Sequence, residues 1–122
     1  MYAQFRTSPA SPREKGRLAE DTAARYLLQK GYRILSRNLF TPYGEIDILA
    51  KLGAEYICVE VRSRRMRSRD ERAPEDVLTR TKYTHLVRSL LSLAFLHNKP
   101  VRIDLLTVEA GAVRHHYQNI EV

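Results

Sequence analysis

The stretch that decides the fold is YGEIDILAKLGAEYICVEVRSRR, Tyr43–Arg65. It contains two apolar runs rich in β-branched residues, IDILA and YICVEV, which the short segment KLGAE joins. Two such runs on either side of a short glycine-containing connection are typical of antiparallel strands that form a hairpin. Both runs also carry acids, at positions where a fully buried strand would be apolar. The stretch therefore predicts a pair of sheet strands and a place where unusual chemistry should be sought.

The acids are Glu45, Asp47 and Glu60, and Arg62 follows the last of them by two residues. Side chains alternate between the faces of a strand, so we expect Glu45 and Asp47 on one side, and likewise Glu60 and Arg62. Burying such acids without a partner costs on the order of several kcal/mol. Three partners are open at this point: a divalent cation, arginines of the chain, or water on an exposed face. Acids on the polar face of a half-buried hairpin are common and stabilise it little.

The cation alternative has a clear chemical basis. Mg²⁺ prefers oxygen ligands and is usually held by one or two carboxylates together with water and substrate phosphate. Such a site polarises a phosphodiester and lowers the pKa of a bound water, and a neighbouring cationic side chain can offset charge in the transition state. An acid on a preceding helix can complete the site. Glu20 is the candidate, because it lies on the border of an apolar helical stripe.

The rest of the chain predicts helices on either side of this hairpin in sequence. Residues 1–12 contain two Ser-Pro steps and little apolar content, so we expect a flexible tail before a single domain at 13–122. A helix from about Arg13 is expected to end at Gly31, a residue suited to a C-terminal cap. Its apolar residues recur at three- and four-residue spacing. They are Leu18, Ala19, Thr22, Ala23, Tyr26 and Leu27.

The later segments complete the predicted order. Tyr32–Asn38 precedes the hairpin as a first strand, and a long helix runs from Pro74 to Asn98 with a break near residues 79–81. Residues 101–109 and 113–122 are the last two strands, separated by a glycine-containing turn. The expected fold is a single-domain α/β structure, a mixed β-sheet flanked by helices in the order α-β-β-β-α-β-β.

Composition and charge limit the classes of function. Of the 122 residues, 43% are hydrophobic and 29% charged, which is typical of a globular chain and excludes a disordered one. No apolar run approaches the roughly 20 residues of a membrane helix, and the N-terminus lacks the apolar core of a signal peptide. We therefore expect a cytoplasmic protein with no membrane partner. Cys58 lies in the most apolar run and is interpreted as a core residue. The net charge of +7 favours a nucleic-acid partner.

An arginine-rich segment follows the hairpin. Residues 62–72 contain six arginines and no apolar pattern, which indicates a loop. Arginine binds phosphate bidentately, so the segment either contacts a nucleic-acid backbone or is a solvated basic loop. Lys82, near the start of the long helix, has the same two interpretations. The candidate nucleic-acid-binding residues are Arg64, Arg65, Arg67, Arg69 and Lys82.

Four motifs together resemble the bacterial YraN family: GEIDILA, ICVEVRSR, a helix that carries Lys82, and RIDLLTV. The N-terminal part, from Gly16 to Asn38, is similar to it as well, and the resemblance covers roughly residues 15–108. That family is similar to archaeal Holliday junction resolvases and to restriction-endonuclease-like nucleases. Their signature is an acid on a first helix, an aspartate at the start of one strand, and Glu-x-Lys on the next. The resemblance implies a restriction-endonuclease-like fold and a metal-dependent DNA endonuclease.

Carried over to matching positions, the resemblance implies that Asp47 is the central metal-bridging acid, Glu60 a second ligand and Glu20 a third. Mg²⁺ or Mn²⁺ would be the cofactor, and Glu45 a supporting residue. Arg62 departs from the pattern, because it stands where the family has lysine. A guanidinium stays protonated and is a poor general base, although it can still hold a phosphate by hydrogen bonds.

The leading hypothesis is an endonuclease-like protein that hydrolyses phosphodiesters in branched or repair DNA, with Asp47, Glu60, Glu20 and Arg62 as the catalytic set. One alternative is a nucleic-acid-binding module that has lost the chemistry because of Arg62. Another is a basic protein-interaction adaptor whose acids only pair with its arginines. The expected partner is structured DNA, and a homodimer would suit a symmetric junction. The metal hypothesis requires that Asp47 and Glu60 do not point to opposite faces of the sheet.

Overall fold

The computed structural model describes residues 12–63 and 78–121. Two α-helices, five strands and one short 3₁₀ turn make up these ranges, in the predicted order α-β-β-β-α-β-β, which is confirmed. The elements are α1 (Pro12–Gln29), β1 (Arg33–Thr41), β2 (Gly44–Leu52), β3 (Glu55–Ser63), α2 (Arg80–Leu91), the 3₁₀ turn Ala94–Leu96, β4 (Val101–Glu109) and β5 (Ala112–Tyr117).

The five strands form one sheet in the order β1-β2-β3-β4-β5. Strands β1, β2 and β3 are an antiparallel meander, and the predicted hairpin is confirmed by the pairing of Ile48 with Val59 and of Leu49 with Cys58. Strand β4 runs parallel to β3, and β5 returns antiparallel to β4. Because parallel neighbours need a long crossover, α2 lies in the connection between β3 and β4. The sheet is therefore mixed, as expected.

Two apolar layers cover the sheet, one on each face. Ala23 and Leu27 of α1 pack against Ile48 and Val59, and this layer is called the α1-side core. On the other face, the α2-side core joins α2 to β2, β3 and β4. Its buried members are Ile46, Leu49, Cys58, Leu78, Leu86, Leu96 and Ile103. Burial on both faces explains why the central strands are apolar at consecutive positions and not only at alternate ones.

The ends of the helices differ in part from the expectation. The cap of α1 at Gly31 is observed, with φ +93° and a hydrogen bond from the Tyr32 N–H to the Leu27 carbonyl. Leu18 is 59% exposed, so its predicted place in the apolar stripe is wrong. The small residues on the neighbouring face of α1, Ala19, Ala23 and Ala24, bring the helix close to the sheet instead.

Helix α2 ends at Leu91, well before the predicted end near residue 98. The chain then leaves the helical path and forms the 3₁₀ turn, which buries Leu96 in the α2-side core. At its start, Thr79 accepts a hydrogen bond from the Lys82 N–H, so α2 begins with a side-chain cap at the predicted break. The predicted N-terminal part of this helix, from Pro74, lies outside the described residues. So do the N-terminal tail and the arginine-rich loop beyond Ser63.

In the described ranges, neither helix combines the length and the apolar character that crossing a bilayer would require.

Candidate metal centre

Strands β2 and β3 part at Asp47. The paired register ends at Ile48 and Val59, and beyond it the Val61 N–H of β3 donates to Asp47 Oδ2 at 3.0 Å. Ile46 packs in the α2-side core whereas Ile48 packs in the α1-side core, although residues two apart normally share a face of a strand. Strand β2 therefore twists at Asp47, so that the side chains on either side of this residue point to opposite faces of the sheet; this twist is called the turn of β2. This turn places the Asp47 carboxylate in the gap between the two strands.

Three carboxylates meet beside this gap. Glu20 of α1 joins Glu45 and Asp47 of β2, and one oxygen from each residue lies within 4.8 Å of the others. The expectation that Glu45 and Asp47 lie close together is confirmed. These three residues, here called the carboxylate triad, are all half-buried. Such a set of hard oxygen atoms could hold a divalent cation.

The carboxylates of the triad carry like charges when ionised and repel one another. Burial raises the pKa of Glu20, and the negative charges of Asp47 and Glu45 raise it further, against a hydrogen bond from Asn38 that lowers it. Burial also raises the pKa of Asp47, partly offset by its hydrogen bond from the Val61 N–H. A positive charge at the triad would favour the ionised form of all three carboxyls.

Glu60 adjoins the triad but is not part of it. The predicted ligand set was Asp47, Glu60 and Glu20; in the group whose oxygens all meet, Glu45 takes the place of Glu60. Glu60 still contacts the set, because its carboxyl is hydrogen-bonded to that of Asp47. The two side chains therefore do not point to opposite faces of the sheet, and the geometric condition on the metal hypothesis is met.

The Glu60 carboxyl is 2% exposed and carries the strongest electrostatic perturbation among the acids of the site. Burial and the negative charge of Asp47 raise its pKa to about 8, although Lys82 and Arg62 act to lower it. As an ionised group it has a buried oxygen, Oε1, that receives no hydrogen bond from any described residue. Either a proton shared with Asp47 or a bound cation would satisfy that oxygen.

Two cationic side chains reach the other oxygen of Glu60. Arg62 Nη2 lies 3.1 Å from Glu60 Oε2, and Lys82 Nζ lies 3.8 Å from the same atom. Both side chains are about one-third exposed, so each also faces solvent. The sequence grouped Lys82 with a basic nucleic-acid surface, and the structure places it beside the acids. The other residues of that group, Arg64, Arg65, Arg67 and Arg69, lie outside the described residues.

Comparison with known proteins identifies the family. Residues 19–108 match the model of the family described as "Uncharacterised protein family UPF0102". The chain belongs to the UPF0102 family. This is the YraN family that the sequence motifs indicated, so that resemblance is confirmed.

Individual relatives agree with this assignment. A UPF0102 protein of Aquifex aeolicus is 40% identical over 106 residues, which cover 87% of this chain and 95% of that protein. One from Thermus thermophilus is 39% identical over 94 residues, covering 77% and 82%. A third, from Pseudoalteromonas translucida, is 33% identical over 106 residues, covering 84% and 85%. The similarity therefore extends over most of the UPF0102 chain, and the matched range, residues 19–108, spans the positions of the carboxylate triad.

Sequence reasoning missed the role of Asn38 in this UPF0102 protein. Asn38 has a left-handed backbone, with φ +52°, and its side-chain amide contacts both Glu20 and Glu45. Arg37 was also missed; its guanidinium lies 2.7 Å from Asp21 and 3.7 Å from Glu20. The available signal was an Arg-Asn pair that interrupts the apolar alternation of β1, since asparagine is enriched at positive φ.

A second polar cluster lies on β4 and β5. Asp104 is fully buried and accepts hydrogen bonds from Arg102, from His116 Nε2 at 2.8 Å and from the Asn119 N–H. Burial opposes ionisation of Asp104, but these hydrogen bonds outweigh it and lower the pKa. Asp104 thus forms a buried ion pair with Arg102. His116 is part-buried, with Tyr26 on its other ring nitrogen. This cluster secures the chain after β5 to the sheet.

Proposed function

We propose that this UPF0102 protein is a metal-dependent, endonuclease-like enzyme that hydrolyses DNA phosphodiesters. The observation that carries the proposal is the carboxylate triad, with oxygens within 4.8 Å, beside the buried Glu60 whose Oε1, when ionised, receives no hydrogen bond within residues 12–63 and 78–121. The proposed cofactor is Mg²⁺ or Mn²⁺. The proposed partner is structured DNA, with the cytoplasm as the compartment in which the two meet.

The residues of the site fit this cofactor in their chemistry. Every ligand candidate is a carboxylate, and hard oxygen donors favour Mg²⁺ and Mn²⁺ over the softer metals that select histidine or cysteine. The candidates come from two elements, Glu20 from α1 and Glu45 and Asp47 from β2. Their mutual repulsion raises the pKa of Glu20, which a divalent cation would reverse. Glu60 supplies a further oxygen at the edge of the same site.

When bound, the cation would polarise the phosphodiester and lower the pKa of a water molecule at the site. The side chains around the triad would bind the phosphate and hold the ligands in place. Lys82 and Arg62, each paired with Glu60 and each facing solvent, are placed to donate hydrogen bonds to a phosphate. Asp47 links the two halves of the site, because it belongs to the triad and is also hydrogen-bonded to Glu60.

Lys82 weakens the objection that Arg62 raised. The objection was that the family pattern has a lysine beside Glu60, where this chain has a guanidinium. Lys82 lies 3.8 Å from the Glu60 oxygen that Arg62 also contacts, so a lysine is present beside that acid although it comes from a different element. This placement supports the enzyme over a module that has lost its chemistry. The net charge of +7 and the arginines beyond Ser63 support DNA as the substrate.

The test is cleavage of four-way junction and flap DNA by the full chain in Mg²⁺ and in Mn²⁺. Asp47→Asn keeps the size and an acceptor oxygen for the Val61 N–H but removes the charge at the centre of the site. Asp21→Asn is the matched control, because Asp21 lies on the same helix as Glu20 and pairs with Arg37. We expect cation-dependent cutting by the unmodified chain and by Asp21→Asn, and its loss in Asp47→Asn. Intact substrates in both metals would overturn the proposal.

A second candidate function is DNA binding without cleavage. It is favoured by the 3.1 Å ion pair that places the permanently charged Arg62 against Glu60. Binding without cutting, with cutting gained in Arg62→Lys, would support this alternative. Absence of binding at about 50 mM salt, where phosphate contacts are strong, would exclude both candidates and leave the protein-interaction adaptor.

A further inference from the structure

Asn38 joins two of the three triad carboxylates. Its Nδ2 atom donates to Glu20 Oε1 at 2.8 Å and to Glu45 Oε2 at 2.8 Å. An asparagine amide nitrogen carries two hydrogens, so each carboxylate can receive its own. Glu20 belongs to α1 and Glu45 to β2, whereas Asn38 belongs to β1. One amide on a third element therefore holds together two acids that have no direct connection.

We propose that Asn38 is a positioning residue of the metal centre, holding Glu20 and Glu45 in ligand geometry before a cation binds. This inference rests on the proposed function, because it concerns the same carboxylates. The site itself has independent support in Glu60, which is 2% exposed and, when ionised, has an oxygen to which no residue in the described part of the chain donates a hydrogen bond.

Electrostatics explain why such a residue is needed. Two carboxylates at this separation repel each other, and the long side chain of Glu20 could rotate toward solvent if nothing held it. Asn38 offsets the repulsion with two donors that carry no net charge and therefore do not compete with the cation. Arg37 approaches the same oxygen of Glu20, Oε1, at 3.7 Å. Neither of these contacts, made within the described residues, uses Glu20 Oε2, and that oxygen faces no competition from Asn38 or Arg37 for a ligand.

The backbone of Asn38 adds a second constraint. Its φ of +52° lies in the left-handed region, which asparagine and glycine adopt far more readily than other residues. Arg37 pairs with Ile48 and Leu39 with Ile46, and Asn38 lies between these two pairs, level with the turn of β2 at Asp47. The unusual backbone thus aims the amide at the acids. It also provides a clean variant, because Asn38→Gly keeps the backbone conformation and removes only the amide.

The experiment is calorimetric titration of the full chain with Mn²⁺, together with thermal unfolding without metal. Removing a group that orients metal ligands typically weakens metal binding by about 10- to 100-fold, and we expect a loss in this range for Asn38→Gly. Asn98→Gly is the matched control, since Asn98 is an exposed asparagine with φ +65°. It should bind Mn²⁺ like the unmodified chain. In a Glu45→Gln background, Asn38→Gly should weaken binding by a smaller factor.

The outcomes separate the two proposals. If the unmodified chain does not bind Mn²⁺, the metal centre fails and the role of Asn38 fails with it. If the unmodified chain binds and Asn38→Gly binds equally well, only the role of Asn38 is overturned. A lower melting temperature without metal, at unchanged Mn²⁺ affinity, would assign Asn38 a structural role and overturn the proposal.

Should Asn38→Gly not fold, the unmodified chain provides the test. The side-chain amide protons of Asn38 should shift in the nuclear magnetic resonance spectrum in step with Mg²⁺ saturation. Protons that stay in place while Mg²⁺ binds would contradict the proposal.

Discussion

Replacing Glu60 by glutamine should stabilise the metal-free protein at pH 8. Glutamine keeps the shape of the side chain but cannot ionise, whereas burial and the Asp47 charge raise the pKa of Glu60 from 4.5 to about 8. Each pKa unit corresponds to about 1.4 kcal/mol. The rise therefore corresponds to on the order of 5 kcal/mol by which ionised Glu60 destabilises the folded state.

The sign and the pH window follow from proton binding. Between pH 4.5 and about 8 the folded chain keeps the Glu60 proton and the unfolded chain does not. The free energy of unfolding therefore falls as pH rises through this window and levels off above it. The ion pairs that Glu60→Gln loses with Arg62 and Lys82 offset little of this, because both cations are about one-third exposed.

The assay is urea denaturation in EDTA at intervals from pH 5 to pH 8.5, for the unmodified chain and Glu60→Gln. We expect the difference in the free energy of unfolding between the two proteins to grow with pH in favour of Glu60→Gln. Glu121→Gln is a suitable control, since Glu121 is exposed and should not change the pH dependence. Equal pH dependence of the unmodified chain and Glu60→Gln, or a less stable Glu60→Gln at pH 8, would refute the electrostatic argument.

Three further predictions concern the same structure. Because the cation and protons compete for the carboxylates, saturating Mn²⁺ should raise the free energy of unfolding more at pH 8 than at pH 6. EDTA should reverse this gain, and an equal gain at both pH values would contradict the competition. Lys82→Met should lower Mn²⁺-dependent DNA cleavage by about 100-fold or more, whereas Arg88→Met, on the last turn of the same helix, should cleave normally. Asp104→Ala should lower the free energy of unfolding, measured by urea denaturation, by about 3–5 kcal/mol, because Arg102 loses a buried partner. The Mn²⁺ affinity should stay unchanged, and weaker Mn²⁺ binding would show that the two polar clusters are coupled.

The sheet could be predicted well because the sequence patterns that indicate strands and turns each extend over only a few residues. Apolar runs, short turns and the glycine at position 31 each determine structure over a few residues, and all five strands were found with the correct hairpin at the centre. Helix ends were less accurate. The apolar residues after Leu91 continue the helical spacing, but the 3₁₀ turn that buries Leu96 depends on packing against the sheet. Such packing leaves no pattern in the sequence.

The acids show the same limit within the site. Alternation along β2 correctly brought Glu45 and Asp47 together, but it could not foresee that β2 turns across Asp47, so that Glu45 joins Glu20 while Glu60 stands beside the group. Asn38, with its left-handed backbone, lies level with this turn in the neighbouring strand, between the pairs Arg37–Ile48 and Leu39–Ile46. Which acids meet is therefore evident only from the three-dimensional arrangement of α1, β1 and β2.

The cations illustrate why a motif should be assessed by the atoms it brings together. Two-residue spacing placed Arg62 beside Glu60, and the 3.1 Å contact agrees with it. Lys82 reaches the same carboxylate from α2, twenty-two positions after Glu60 in the chain, a separation that carries no periodic signal. A site that needs an acid and a lysine can therefore take the lysine from another element, provided that the element is fixed. Here the Thr79 cap fixes the first turn of α2, and Leu86 anchors the helix in the α2-side core. Arginine in the motif consequently does not by itself decide against catalysis, and the role of the cation beside Glu60 has to be tested at Lys82 as well as at Arg62.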